Sequence, residues 1–553
     1  MLWRHILFQL AFSDTSNKYS PLCPQPGRDF YPIPTPARPT SRRIQMPKFE
    51  HQRPLYASRA VGEADLLPVM VFIHGGAFTY STGSSRIYDA RMLASSSREE
   101  KISRSTIFVT MNYRLGVYGF LAGRDLEEYN KAHGESGVGN YGIWDQIIAL
   151  RWIKRYISAF GGGPQKITLF GQSAGSFSVH LHLLREEALF SSAILQSGLM
   201  VGVNSVDEYQ VIYDKILQQL GIPLDMAAKD RVDRLLSTPQ DKLTQAMVPV
   251  FVVPLVTMAL CDDGHFIRGR IPRLPEVDGK CLATVWRKRI VLGDCRNEGI
   301  IFNKSWSNMS ERGASEPGPL DLAVPSAPVV MDRLVEVLGE NKAAEVADLY
   351  QLARDETSDT IFSKLELLTT LGLFSLSTYL ATKSLASVCP NTVYAWHFDV
   401  PSPYDNPWKG LAHHSFDNVL LWGILKHTLP GSIQKVADLM SEAWIKFSRG
   451  SVLQRAKGGW SSRQTQMLED GFEEGGRQLG IFCFRSIAKE SSCCGCGQSE
   501  YGAVSSGGGV AQLIISMCQD KYVGRCILRP LHTAHANAIV TSSSGWMLNT
   551  LKQ

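Results

Sequence analysis

A serine flanked by glycines, between a strand-like and a helix-like segment, constrains this chain more than any other feature. The apolar run at residues 167–170 is typical of a buried strand, Gly171-Gln172-Ser173-Ala174-Gly175 follows at once, and a helical pattern covers residues 176–184. This order predicts a tight turn that exposes the Ser173 hydroxyl as a nucleophile. The flanking glycines fit, because a Cβ there would meet the neighbouring strand or helix. The alternative is an ordinary glycine- and serine-rich turn.

A second candidate feature lies upstream of this motif. Residues 69–73 are continuously apolar, which is typical of a strand buried on both faces, and they lead into His74-Gly75-Gly76-Ala77-Phe78. A serine that attacks a carbonyl needs N–H donors for the oxyanion, and an H-G-G-x loop presents such groups beside the nucleophile. A glycine-rich turn without function is the alternative. The functional interpretation predicts three oxyanion donors, the N–H groups of Gly76, Ala77 and Ala174.

Several further segments, in the same order, resemble the type B carboxylesterase/lipase family, which includes cholinesterases and fungal lipases. The dense part of the resemblance runs from about residue 67 to 199 and includes Asn112-Tyr-Arg-Leu-Gly116, Gly139-Asn-Tyr-Gly-Ile-Trp-Asp-Gln146 and Ala193-Ile-Leu-Gln-Ser-Gly198. The resemblance implies an α/β-hydrolase fold, with a mostly parallel central sheet flanked by helices and with helical inserts over the active site. It also implies a serine hydrolase that cleaves carboxylic esters through an acyl-enzyme, without cofactor or metal.

The resemblance also suggests the acid of a catalytic triad. A strand-like run at residues 289–292 leads into Gly293-Asp-Cys-Arg-Asn-Glu-Gly299, and the family carries its acid in a G-x-x-x-x-E-G loop after such a strand. The matching residue is Glu298. A buried carboxylate here would orient a histidine ring and stabilise its charged form. Asp294 competes for this role, and only the resemblance ranks it second.

The base should follow the acid in the chain order Ser, Asp/Glu, His. Two adjacent histidines stand in Gly410-Leu-Ala-His-His-Ser-Phe-Asp417. The family places an acidic residue three positions after the catalytic histidine, which selects His414 with Asp417. The family's spacing from glycine to histidine points instead to His413. We favour His414, because the residues that follow also fit the family pattern.

Composition excludes several other classes of protein. The net charge of +5 is small for 553 residues and no long basic run is present, so nucleic-acid binding has little support. No stretch approaches the 18 apolar residues that would indicate a membrane span. Cys493 and Cys496 form one C-x-x-C without a second pair at metal-ligand spacing, so we do not interpret them as a zinc site. The N-terminus is a poor signal peptide, which favours a cytoplasmic over a secreted location. A small-molecule ester is the expected partner, and oligomeric state is not predicted.

Strand-like runs alternate with helical patterns between residues 67 and 485, which predicts one α/β catalytic domain there. Strands are expected at residues 69–73, 107–111, 167–170, 193–196, 289–292 and 393–396. Helical patterns dominate residues 207–255 and 320–387. Residues 1–66 are rich in proline, arginine and serine and read as poorly ordered or divergent, and residues 486–553 carry no convincing fold signal.

Two departures from the family pattern bear on stability. The S-E-D-C-L strand that the family carries before its H-G-G loop is absent, which implies that Arg114 lacks its acidic partner. It also implies that the sheet near residues 69–73 loses a neighbouring strand, and an uncovered edge invites aggregation. Gly163 stands where the family usually has Asp. Removing one member of a buried ion pair costs about 3–5 kcal/mol, so the sequence predicts an unstable or poorly soluble chain unless residues 53–60 supply a substitute strand.

Two rival interpretations stay open beside the esterase. One is a catalytically inactive binding or adhesion member of the same fold, since a fold does not determine a function. The other is a truncated or mis-assembled chain that does not fold well. The presence of Ser173, Glu298 and His414 favours the enzyme.

Overall fold

A parallel sheet of seven strands dominates the computed structural model, which describes residues 66–93, 106–185, 187–199, 203–247, 250, 260–268, 289–301, 326–388, 392–406, 408–451 and 480–485. Its strands are β1 (Leu67–Ile73), β2 (Ile107–Met111), β3 (Gly162–Gln172), β4 (Ser192–Gln196), β7 (Arg289–Cys295), β8 (Val393–Asp399) and β9 (Gly480–Arg485), in the order β2-β1-β3-β4-β7-β8-β9. A separate two-stranded sheet pairs β5 (Val203–Ser205) with β6 (Leu260–Asp262). All pairings between described strands are parallel, so the predicted parallel sheet is confirmed.

Both faces of the large sheet are covered, which explains why its strands are continuously apolar. Along β1, Val69, Val71 and Ile73 pack into one hydrophobic core, while Met70 and Phe72 pack into a second core on the opposite face. All five side chains are fully buried. A strand buried on both faces loses the alternation of polar and apolar residues, and only its length and flanking glycines then identify it.

Helices cover both faces and form the inserts between strands. They are α1 (Gly116–Phe120), α2 (Arg124–Ala132), α3 (Tyr141–Tyr156), α4 (Ala174–Leu183), α5 (Val206–Gln219), α6 (Ala228–Ser237), α7 (Gln240–Met247), α8 (Ala327–Leu338), α9 (Glu340–Tyr350), α10 (Ser358–Thr369), α11 (Leu376–Val388), α12 (Phe416–Trp422) and α13 (Gly431–Ser448). A π-helix, Thr370–Ser375, joins α10 to α11. Helices α8 to α10 share a small core of their own. The predicted helical character of residues 207–255 and 320–387 is confirmed wherever these ranges are described.

One helical stretch, Thr360–Ala386, is long and apolar enough to cross a membrane by length and composition alone. However, 61% of its most apolar window is buried inside the structure, and Phe374 and Leu385 are almost fully buried. Burial of this kind is what a core helix shows, so its composition alone does not indicate a membrane span.

For strand β1 itself, the expectation of a lost neighbour is wrong. Strand β1 lies between β2 and β3 and pairs with both, for example Val71 with Val109 and with Leu169. Among the described strands, β2 forms the end of the large sheet next to β1, and most of its side chains are half-buried. The structure also places Gly163 inside β3. The proposed substitute strand at residues 53–60 lies outside the described residues.

The expectation that Arg114 lacks an acidic partner is also wrong. Asp145, in the first half of α3, accepts hydrogen bonds from Nε and Nη2 of Arg114, each at 2.8 Å, and from its backbone N–H at 3.0 Å. Two parallel N–H···O bonds to a carboxylate are a strong, geometrically specific arrangement. The carboxylate comes from a helix that follows Arg114 in the chain rather than from a strand that precedes it. The expected loss of an ion pair at Arg114 is therefore removed as a ground for instability, while the uncovered edge stays a prediction. The proposed domain boundaries at residues 66 and 485 stay predictions.

Candidate active site

Ser173 stands at the point where β3 ends and α4 begins. Its backbone angles, φ 57° and ψ −125°, lie outside the regions that non-glycine residues normally adopt. The turn is held in place because the Ser173 N–H donates to the carbonyl of Gln196, 2.9 Å away, at the end of the neighbouring β4. The residue Ser173 is 6% exposed. The residue therefore adopts the strained turn that the sequence motif predicts.

The two flanking glycines permit a very close contact between backbones. A Cβ on Gly175 would overlap the carbonyl oxygen of Ile73 in β1, and a Cβ on Gly171 would overlap the carbonyl oxygen of Gly175. Neither obstacle is the end of a flexible side chain, so neither can move aside cheaply. The glycines allow α4 to start directly against the sheet, which is the reason given for them from sequence.

The loop of residues 74–78 follows β1 and lies beside the turn at Ser173, because β1 and β3 are neighbours. Gly76, Ala77 and Phe78 all have positive φ angles of 104°, 51° and 58°. Hydrogen bonds from the N–H groups of Thr79 and Tyr80 to the Gly76 carbonyl close the turn. Successive backbone N–H groups in a turn can form a concave site for an anion. The N–H of Ala174, in the first turn of α4, has no acceptor within its own helix. The three predicted oxyanion donors thus come from adjacent strand ends.

Contacts between His74 and Tyr113 hold the start of this loop in place. Its ring stacks on Tyr113 with the ring centroids 4.5 Å apart, and the Tyr113 hydroxyl donates to the His74 carbonyl at 2.8 Å. Burial lowers the pKa of His74 to about 4, so the ring is neutral at pH 7. We infer that His74 fixes the loop and does not titrate during the reaction.

Glu298 and His414 meet in the fully buried interior, beyond the ends of β7 and β8. Oε2 of Glu298 contacts Nδ1 of His414, and Oε1 accepts the backbone N–H of Cys295 at 2.6 Å. Both side chains are 0% exposed. The two loops are joined by their backbones, since the Asn297 N–H donates to the Ala412 carbonyl at 3.0 Å. A carboxylate at Nδ1 holds the proton there, which places the lone pair of the imidazole at Nε2.

The two competing residues have other partners. Nδ1 of His413 donates to the His414 carbonyl, and its ring packs against Trp408 and Phe416. Burial lowers the pKa of His413 to about 4. Asp294 pairs with His397 at 2.8 Å instead of with His414. The structure therefore brings His414 to Glu298, and leaves His413 and Asp294 in other contacts.

Asp417, three residues after His414, is completely buried at the start of α12 and does not contact the imidazole directly. Its Oδ2 accepts a hydrogen bond from Nε2 of Gln196 at 2.7 Å. Burial, followed by the nearby charge of Glu298, raises the pKa of Asp417 to about 6. Since the backbone of Gln196 also accepts the Ser173 N–H, this glutamine links the turn at Ser173 to helix α12, which follows His414.

Sequence reasoning missed three side chains that contact the site. Nε2 of Gln172 lies 3.0 Å from Nε2 of His414. In the π-helix, Oγ1 of Thr370 accepts the N–H of Gly299 at 2.7 Å, and Phe374 places its ring edge-on to His414, with centroids 5.6 Å apart. Gln172 could have been noticed because it stands inside the G-x-S-x-G motif. Thr370 and Phe374 carry no local signal, because their partners are distant in sequence.

Among the described residues, no group of three or more His, Cys, Asp or Glu side chains could hold a metal ion. The residues that the structure does place together, a serine, a carboxylate and an imidazole, follow the carboxyl ends of β3, β7 and β8 in one parallel sheet. Ligands of open α/β sheets bind at such an edge. Fold and site together define an α/β-hydrolase.

The chain belongs to the carboxylesterase family, whose model matches residues 53–468. It is 29% identical over 397 residues to a para-nitrobenzyl esterase of Bacillus subtilis (strain 168), covering 69% of this chain and 71% of that protein. It is 37% identical over 259 residues to Lipase 4 of Diutina rugosa, covering 44% of each. It therefore spans less than half the length of this lipase. Among solved structures, a PNB esterase superposes with a TM-score of 0.53 at 25% identity, covering 72% of this chain and 75% of that one.

Proposed function

We propose that this chain is a serine hydrolase that cleaves carboxylic esters through an acyl-enzyme. The observation that carries the proposal is the buried pair of Glu298 and His414, which lies beside a serine held in a strained turn at the end of β3. A solvated loop carboxylate or a satisfied core histidine would not need this arrangement. The names of its relatives, para-nitrobenzyl esterase and lipase, support the same class of substrate.

In the proposed reaction, Oγ of Ser173 attacks the ester carbonyl carbon while Nε2 of His414 takes the hydroxyl proton. The oxygen that becomes negative binds the N–H groups of Gly76, Ala77 and Ala174. The intermediate then expels the alcohol, which receives the proton from His414. Water then attacks the acyl carbon while the same histidine takes its proton. The bond to Oγ of Ser173 breaks, the acid leaves, and His414 returns the proton to Oγ. Glu298 holds the ring in the required tautomer and stabilises its charged form.

Substitution of the nucleophile tests the proposal. Ser173→Ala should lower the turnover of p-nitrophenyl butyrate by about 10⁴-fold or more, as for other triad nucleophiles, and should abolish labelling by a fluorophosphonate probe. Ser176→Ala is the matched control, because its hydroxyl on the same helix is occupied by the Gly198 carbonyl. Ser176→Ala should still label. A catalytically inactive family member would label in neither form. Turnover of Ser173→Ala within about tenfold of the parent would exclude Ser173, since a single oxyanion donor is worth more than that.

A further inference from the structure

The imidazole of His414 already has a hydrogen-bond partner at the nitrogen that the reaction needs. Nε2 of Gln172 lies 3.0 Å from Nε2 of His414, and both residues are buried. Within the described residues, no hydrogen bond joins Nε2 of His414 to the Ser173 hydroxyl. The residue just before the nucleophile therefore occupies the base in this structure.

The direction of this hydrogen bond follows from the other side of the ring. Glu298 at Nδ1 can only accept, so Nδ1 carries the proton and Nε2 of the neutral ring is an acceptor. The Gln172 amide nitrogen can only donate, so it donates to the lone pair at Nε2. This is the lone pair that takes the proton of Ser173 in the proposed reaction. Amide and hydroxyl therefore compete for one position.

The rest of the Gln172 side chain lies against the loop of residues 74–78. A Cβ built on Gly75 would come within 3.1 Å of Oε1 of Gln172 and 2.6 Å of its backbone oxygen. Gly75 thus leaves the room that the amide uses. The amide therefore lies between Gly75, in the loop that follows β1, and the imidazole of His414.

We propose that Gln172 is a positioning residue that caps His414 in the resting site and is displaced from Nε2 when substrate binds. This inference rests on the proposed function and adds a step that precedes the attack by Ser173. The hydrogen bond from Gln172 keeps the His414 ring aligned with Glu298. When it is removed, Nε2 of His414 is available to the Ser173 hydroxyl. One neutral hydrogen bond changes the equilibrium between capped and uncapped His414 by roughly 2- to 12-fold. The cap therefore changes the reaction rate by a similar factor and does not abolish the reaction.

The variant Gln172→Met removes the donor and keeps the approximate length of the side chain. At pH 8.5 it should react with a fluorophosphonate probe roughly 2- to 12-fold faster than the parent. Gln196→Met is the matched control, because Gln196 pairs with Gln172 in register on the next strand and is equally buried. Its amide donates to Asp417 instead of His414, so this change should lower stability without faster labelling.

A pH profile separates the cap from a purely structural role. A donor at Nε2 favours the neutral ring, so its loss in Gln172→Met should move the acidic limb of kcat/KM to higher pH. In Gln172→Glu a carboxylate would face the ring and move that limb further in the same direction. The other titratable groups that act on the ring are Glu298, His413 and Asp417, and both variants leave them in place.

The possible outcomes are distinct. Faster labelling of Gln172→Met alone, together with a shifted acidic limb, supports the cap. If labelling of Gln172→Met is no faster and the acidic limb is unmoved, the cap is refuted. Equal slowing of Gln172→Met and Gln196→Met at all pH values would indicate packing alone and would also refute it. The absence of labelling in the parent and in every variant would instead contradict the proposed function.

Discussion

Unusual backbone angles concentrate at the residues that form the candidate site. Ala77, Phe78, Ser173, Ser197 and Ser415 all have positive φ angles, between 51° and 68°. All five follow strand ends or directly follow His414, and none is glycine. Each such conformation costs on the order of 1–3 kcal/mol and persists only where the surrounding structure enforces it. The rigid sheet therefore holds these residues in angles that they would not adopt alone.

Single substitutions distinguish the two adjacent histidines. His414→Ala should lower kcat by about 10⁴-fold or more, as for Ser173→Ala, because the members of a triad act as a unit. His413→Ala should leave most of the rate and lower the midpoint of thermal unfolding, since its ring packs between Trp408 and Phe416. Steady-state kinetics and a thermal melt of each variant measure both effects. A lethal His413→Ala beside an active His414→Ala would reverse the assignment.

Asp417 should make stability depend on pH in a specific window. Its pKa is raised to about 6, so the folded state favours the protonated form, and the associated stability is lost as the pH rises through 6. Asp417→Asn mimics the protonated form. It should be more stable than the parent at pH 7.5 by about 1–3 kcal/mol, with a gap that narrows toward pH 4. Urea unfolding at both pH values measures the gap, and a gap independent of pH would contradict the assignment.

At the scale of elements, the ion pair of Arg114 and Asp145 joins the turn after β2 to α3. Asp145→Asn should lower the free energy of unfolding by about 2–4 kcal/mol, because the carboxylate side chain is only 3% exposed and the substitution leaves Arg114 without its charge partner. Asp207→Asn is the control. Its pair with Arg124 is 68% and 71% exposed, so this change should cost less than about 1 kcal/mol. Equal effects in urea unfolding would show that the Asp145 contact is not a structural anchor.

The helical insert of residues 327–388 shows how an element far from the motifs reaches the site. In its π-helix, Thr370 accepts a hydrogen bond from the N–H of Gly299, and the Phe374 ring packs edge-on against His414. A π-helix inside a longer helix often marks a functional position. The insert thus packs on the acid and the base together, which agrees with inserts over the active site in the expected fold.

For the whole molecule, the sequence predicted those parts whose signal is local. Continuous apolar runs located six of the seven strands of the large sheet, because a strand buried on both faces needs such a run. The turn at Ser173 was predicted because strand, glycines and helix are contiguous. Strand β9 was not predicted from the sequence. It is a short strand that comes just before residues 486–553, for which the sequence carries no fold signal.

What could not be predicted depends on partners that are distant in the chain. The sequence around Arg114 does not show that Asp145, in helix α3, supplies the carboxylate that was expected from the missing strand. The contact between Gln172 and His414 joins residues 242 positions apart. The choice between His413 and His414 needed either the resemblance or the observed contact with Glu298. Tertiary packing determines each of these contacts, and local sequence patterns do not predict it.

The neighbouring strands β1 and β3, β4 and β7, and β7 and β8 pair residues roughly a hundred positions apart, and pairings of such long range form slowly during folding. Ser173, Glu298 and His414 follow three of these strands, β3, β7 and β8. If they act as proposed, we expect Ser173 to stay unreactive toward esters in a partly folded chain until β8 has joined the sheet. During refolding from denaturant, recovery of turnover would trail the return of helical circular dichroism, so that activity marks completion of the sheet.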